Sequence, residues 1–197
     1  MCSSDLNAIY FFYSFLCHQL PQRSLFLFGP KFSYSLAEIG AVWQYNDYAT
    51  LRAFVGSAAT GWKVAWSDRM VAMYGSLWVG GLIYGLLRGR HPEPSRRTRL
   101  SPVAWLGLAI VPIAVDGFSH VINDLIAGIS GTGFRDTNEW LQVITANIFP
   151  ATFYVGDALG SFNNLARLVT GALFGFATVW FVYPRMDAGL GQTIKYD

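Results

Sequence analysis

Three long apolar runs, each closed by charges or aromatic residues, divide the chain. Residues 70–87, "MVAMYGSLWVGGLIYGLL", carry no charge and lie between Arg69 and Arg88. Residues 102–123, "PVAWLGLAIVPIAVDGFSHVIN", follow, with Pro102 suited to the first turn of a helix. Residues 164–183, "NLARLVTGALFGFATVWFVY", end in Trp180 and Tyr183, as expected at a membrane interface. Crossing a bilayer takes about 20 helical residues, which these runs approach or meet. A fourth run, "NAIYFFYSFLC" at 7–17, is too short. It is expected to be the tail of a truncated first helix, because "MCSSDL" at 1–6 reads as a translated sequencing-adapter scar. A real, short N-terminus is the alternative. The expected fold class is all-α, an integral-membrane four-helix bundle with spans at 7–17, 69–88, 102–124 and 163–183. These form one domain over 7–185, followed by a tail at 186–197.

The polar segments add two features. In "SYSLAEIGAVWQ" the residues Leu36, Ile39, Val42 and Trp43 recur at helical spacing, with Ser33 or Ser35 as the cap. This predicts a short amphipathic helix lying on the membrane surface or against the bundle. A second short helix is expected within "NEWLQVITANIF", 138–149. The segment "RGRHPEPSRRTRLS" holds Arg88, Arg90, Arg96, Arg97 and Arg99, which makes loop 88–101 cytoplasmic by the positive-inside rule. The C-terminus then returns to the cytoplasm, and 18–68 and 124–163 face outward. The protein is expected in the cell membrane as a multi-pass chain.

Composition agrees. Of the 197 residues 53% are hydrophobic and only 13% charged, against roughly 25% in a soluble domain. A net charge of +2 gives no reason to expect a nucleic-acid partner. Two cysteines are too few for a metal or disulfide framework by count. Gly75, Ser76, Gly80, Gly81 and Gly85 would let another helix approach closely.

The chemistry concentrates at one end of the spans. Asp116, His120 and Asp124 are spaced i, i+4, i+8 and share a helix face. Asp116 lies roughly 21 Å beyond Pro102 at 1.5 Å per residue, in the outer half of the bilayer. An ionisable group at that depth is costly and takes a partner. Arg167 is the leading candidate and Arg69 the runner-up. Cys17, His18, Gln19 and Arg23 sit at the same level. The reading is an outer polar layer, with a structural ion pair weighed evenly against a ligand, proton or metal role for Asp116. His18, His120 and Asp124 are weak metal candidates.

"CHQLPQRSLFLFG" resembles the first signature of the membrane-protein family called domain of unknown function 2085. "SDRMVAMYG" matches its second element at Arg69 and Tyr74. "PIAVDG" and "NNLARLVTG" resemble later elements, through Asp116, Gly117, Asn164, Arg167, Thr170 and Gly171. The resemblance implies a fold and a motif set but no activity. Where the family pattern has two cysteines around the arginine, this chain has Ser67 and Met70. A tetrahedral zinc site with Cys17 and His18 therefore cannot be completed by that pair.

No nucleophile–base motif, phosphate loop or dinucleotide fingerprint is present, the sequence names no cofactor, and enzymatic activity is left open. The expected function is a non-enzymatic module binding a lipid-like or anionic ligand, or a partner subunit, through the outer polar layer. The ligand candidates are Cys17, His18, Gln19, Arg23, Arg69, Tyr74, Asp116, His120, Asn164 and Arg167. The alternative is a membrane-embedded enzyme or metal-binding protein using His18, His120 and Asp116. The lipid bilayer, a partner membrane subunit or further copies of the chain are the expected partners.

Overall fold

The computed structural model describes residues 3–14, 19–90 and 100–193. Cys17, His18 and the arginine-rich stretch 91–99 lie outside the described residues. The elements are α1 (Ser3–Ser14), β1 (Ser24–Leu27), α2 (Leu36–Val42), α3 (Tyr48–Arg52), β2 (Gly56–Ser57) and β3 (Gly61–Ser67), followed by α4 (Asp68–Arg90) and α5 (Pro102–Ala127). Three short helices, α6 (Phe134–Thr137), α7 (Glu139–Ile144) and α8 (Ala151–Tyr154), lead into α9 (Phe162–Thr193).

Among the described residues, three helices are long and apolar enough to cross a membrane: Asp68–Arg88, Pro102–Ala127 and Phe162–Gly189. The fourth expected span, 7–17, is not among them: the 12 residues of α1 extend about 18 Å against a hydrocarbon thickness of about 30 Å, and residues 15–17 lie outside the described residues. Most residues of each span are not fully buried inside the protein. On α5 the side chains of Val103, Val111, Val115, Phe118 and Leu125 are all largely exposed. An apolar face of that extent has the composition that a bilayer requires.

Helix α9 lies between α4 and α5 and packs on both, far more than they pack on each other. The α4–α9 approach is set by small residues on α9. A Cβ at Gly171 would strike the Arg69 carbonyl and the Ala72 side chain, and one at Gly175 would strike Ser76 and the Met73 carbonyl. Gly80 and Gly81 face Phe176 and Tyr183, as expected of small residues at a helix contact. Gly75 and Gly85 meet nothing. Helix α9 also runs past Pro184 to Thr193, beyond the expected end at 183. Tyr84 donates to Asp187 at 2.8 Å and Arg88 pairs with the same carboxylate, which ties the extension to α4.

The all-α expectation also needs correction, since a small antiparallel sheet of order β1-β3-β2 caps the spans. Its signal was the short apolar alternation "GWKVAWS" after the turn residues 58–60, which the longer spans overshadowed. Beside the sheet, Leu20, Phe26, Tyr34, Ile39, Leu51 and Phe54 form the buried core of the cap. Helix α2 starts where expected, with Ser35 and Glu38 completing a capping box. Ile39 points into the cap core, so this helix packs on protein, with Val42 and Trp43 left exposed. The second short helix is α7, which ends at Ile144; Ala146 and Asn147 then adopt positive φ.

Candidate functional site

Strand β3 ends at Ser67 and α4 begins at Asp68, which is 2% exposed. Its carboxylate accepts the Arg69 backbone N–H at 2.7 Å, satisfying one of the amides left open at a helix start. The same carboxylate accepts from Arg167 Nε and Nη2, each at 2.8 Å, and from Asn164 Nδ2 at 2.7 Å. Arg167, also 2% exposed, spends Nη1 on Asp157 Oδ1 at 2.6 Å. Asp157 in turn accepts from Arg23 Nε at 2.8 Å, and Arg23 closes a bidentate pair on Asp124 at 2.8 and 2.9 Å. One chain of charge thus runs Asp68, Arg167, Asp157, Arg23, Asp124. It fastens α4, α9, α5, the loop before α9 and the turn Pro21–Arg23 together.

A second chain is centred on Asp116. Its Oδ2 accepts from Arg69 Nη2 at 2.7 Å and its Oδ1 from Arg135 Nη2 at 2.6 Å. Thr170 Oγ1 lies 3.4 Å from Oδ2. The same Arg135 nitrogen reaches His120 Nε2 at 3.1 Å. The expected Asp116–Arg167 pair is therefore corrected. The runner-up Arg69 holds Asp116 together with Arg135, while Arg167 is committed to Asp68 and Asp157. Helix counting could not tell on which side of α9 the partner of Arg167 lay.

The electrostatics outside the spans follow from these contacts. Burial raises the Asp157 carboxyl, but Arg23 and Arg167 outweigh it and hold the group well below the usual carboxylate range. Burial opposes the Arg23 charge, yet Asp157 and Asp124 push its pKa above the ordinary guanidinium value. Arginines 23, 69, 135 and 167 meet aspartates 68, 116, 124 and 157, so the network balances its own charge.

Tautomer is fixed by the same geometry. A guanidinium only donates, so His120 Nε2 accepts from Arg135 and the ring proton sits on Nδ1. His120 Nδ1 and Arg69 Nε are buried N–H groups without a partner among the described residues. Both residues line one cavity of about 290 Å³, together with Gln19, Ser67, Gly117 and Phe118. Gln19 reaches it through a left-handed backbone, φ 53°, its amide donating to the Tyr10 carbonyl at 2.9 Å. Such a conformation is costly for a residue with a Cβ and clusters at functional sites.

Most of the expected layer is brought together: Gln19, Arg23, Arg69, Asp116, His120, Asn164 and Arg167 all belong to it. The Tyr74 ring packs on Trp66, with centroids 4.9 Å apart. Asp124 is taken by Arg23 and His120 by Arg135, and among the described residues no three His, Cys, Asp or Glu side chains stand where they could hold a metal. Sequence reasoning missed Asp68, Arg135, Asp157 and Asn123. Asn123, fully buried, accepts from the Arg135 backbone at 2.8 Å and donates to Asp136 at 3.0 Å, which carries α6 onto α5. The available signal was Arg135 itself, the lone basic residue of an acidic segment.

No solved structure matches the chain. An uncharacterized protein of Methanocaldococcus jannaschii is 25% identical over 177 residues, spanning 89% of this chain and 67% of that protein. The model of the family described as predicted membrane protein, domain of unknown function 2085, matches residues 52–181, leaving the opening motif at 17–24 outside the match. With well over half of its length matched, the chain belongs to that family.

Proposed function

We propose that this protein is a non-enzymatic membrane module that binds a lipid-like ligand in the cleft between α4, α5 and the turn Pro21–Arg23. The observation that carries the reading is a cavity of about 290 Å³ lined by Arg69 and His120, two residues that each keep a buried donor without a partner among the described residues, Arg69 Nε–H and His120 Nδ1–H. An unmet buried donor costs about 1–3 kcal/mol, which a ligand oxygen would recover. Both donors are shut off from water, so the cleft must widen by side-chain movement, with the exposed Phe118 as the outermost wall. Two donors select an acceptor head, an ester or quinone carbonyl or a phosphate oxygen. The self-neutral network favours hydrogen-bond recognition over capture of a free anion. The apolar face of α5 beside the cleft suits a hydrocarbon tail.

The enzyme reading is supported less well, because the lone pair a histidine base needs is occupied by Arg135. Orientation belongs to the same proposal: loop 88–101 and the C-terminus cytoplasmic, the sheet cap and the cleft outside, in the cell membrane. A partner subunit or second copy would meet the same outer end.

Native mass spectrometry of the full chain, released from mild detergent, tests the binding. Wild type is expected to retain a lipid or quinone adduct that His120→Ala loses at unchanged fold. A wild-type spectrum without any adduct, after incubation with total membrane lipid, would overturn the reading.

A further inference from the structure

The cleft does not end at His120. A second cavity, of about 350 Å³, shares Leu20, Val121 and Asp124 with the first and is bounded further by Tyr48, Ala49, Arg52 and Leu125. Along α5 the two follow one another. The first is lined from Ala114 to Asp124 and the second from Val121 to Leu125, toward the membrane face at which α5 ends.

Arg52 sets the second cavity apart. At this end of the molecule Arg23, Arg69, Arg135 and Arg167 each hold a carboxylate, whereas Arg52 has none among the described residues. Its backbone is fixed all the same, since its carbonyl accepts from the buried Lys63 Nζ at 2.8 Å. A half-buried arginine on a cavity wall, with no carboxylate partner among the described residues, suits an oxyanion. Tyr48 stands beside it, its hydroxyl donating to the Gly128 carbonyl at 2.7 Å and closing the rim against the end of α5.

We infer that the groove takes a glycerophospholipid, with its phosphate at Arg52, its ester carbonyls at His120 and Arg69, and its acyl chains along Phe118 and Ala114. This rests on the proposed lipid-binding role of the cleft and names the ligand class. The order of chemistry along α5 carries it. Leu125 at the rim and His120 in the cleft are five residues apart, roughly 7.5 Å of helix. The arginine without a carboxylate partner is thus outermost, the donors of His120 and of the ion-paired Arg69 deeper, and the apolar wall deeper still. That is the sequence phosphate, ester, chain met on entering a leaflet from its surface. A quinone or diacylglycerol has no anionic group to pair with Arg52.

The test uses the full chain in detergent, titrated with dioctanoyl phosphatidylglycerol, dioctanoylglycerol, a short-tail quinone and inorganic phosphate. Phosphatidylglycerol is expected to bind at least tenfold tighter than dioctanoylglycerol. Arg52→Gln should abolish that advantage while leaving dioctanoylglycerol binding and the melting temperature unchanged. Arg52→Lys, which keeps the charge, should fall between the two. Equal binding of the first two lipids, unaffected by Arg52→Gln, would overturn the phospholipid assignment and leave the lipid-binding role standing. Inorganic phosphate binding as tightly as phosphatidylglycerol would make this a free-phosphate site and overturn it too. Binding of none of the four would overturn both readings.

Discussion

Arg167 grips Asp68 with two of its nitrogens across 99 positions of sequence, and each residue is nearly inaccessible to solvent. The pair joins the first turn of α4 to the first turns of α9. Because each partner is buried, truncating one leaves the other charge uncompensated. Asp68→Asn and Arg167→Gln are each expected to cost about 3–5 kcal/mol. The double variant should recover part of the loss in thermal unfolding in detergent. Fully additive losses would show that the two do not act as a pair.

Asp116 serves two guanidiniums, so its loss should exceed that of either partner. Asp116→Asn is expected to lower the melting temperature more than Arg69→Gln or Arg135→Gln. Double-mutant cycles should give coupling of about 0.5–3 kcal/mol for Asp116 with Arg69 and with Arg135. Coupling of that size with Arg167 and none with Arg69 would restore the pairing that helix counting first favours.

Asp157 lends the fold a pH dependence with a defined sign. Its folded pKa is depressed, so its contribution is fully present above the unfolded aspartate value of about 3.9 and fades as pH falls through the folded value. Asp157→Asn should therefore destabilise strongly at pH 7. The gap to wild type should narrow only below about pH 4. A gap that narrows already between pH 7 and 5 would contradict the assignment.

Close helix packing gives a steric prediction. Gly175→Ala has no room against Ser76 and Met73 and should destabilise by about 1–3 kcal/mol, read by thermal unfolding in detergent. Gly75→Ala meets nothing and should be neutral, or stabilising by up to about 1 kcal/mol from helix propensity.

Topology is checked by labelling. A cysteine at Val143, 80% exposed on α7, should react with an impermeant reagent added to intact cells, and one at Ser95 should not. The reverse pattern would invert the orientation.

The three spans were legible because an uncharged helical run of the right length has few alternatives. The Ser35 cap was legible because a serine three residues before Glu38 is a local signal. Asp116 and Arg167 stood out because charge within an apolar helical run is costly wherever it occurs. Their partners did not, since Asp68, Arg135 and Asp157 read as ordinary helix-start and loop charges until the chain folds. Partner choice depends on which side of α9 each arginine faces, and one sequence carries no pairing information across 99 residues. The sheet was missed because β1 and β3 are short and β3 has no loop before α4, so a strand merges into the start of a span.

In the proposed complex the cleft offers His120 Nδ1–H to a ligand oxygen. Nitrogen-15 NMR of histidine-labelled protein reads this directly. The chain has three histidines, and a His120→Gln sample assigns the resonance. The proton is expected on Nδ1 with Nε2 accepting from Arg135, and the Nδ1 resonance is expected to shift when dioctanoyl phosphatidylglycerol is added. A proton found on Nε2, or an Nδ1 resonance that stays in place with lipid in excess, would contradict it.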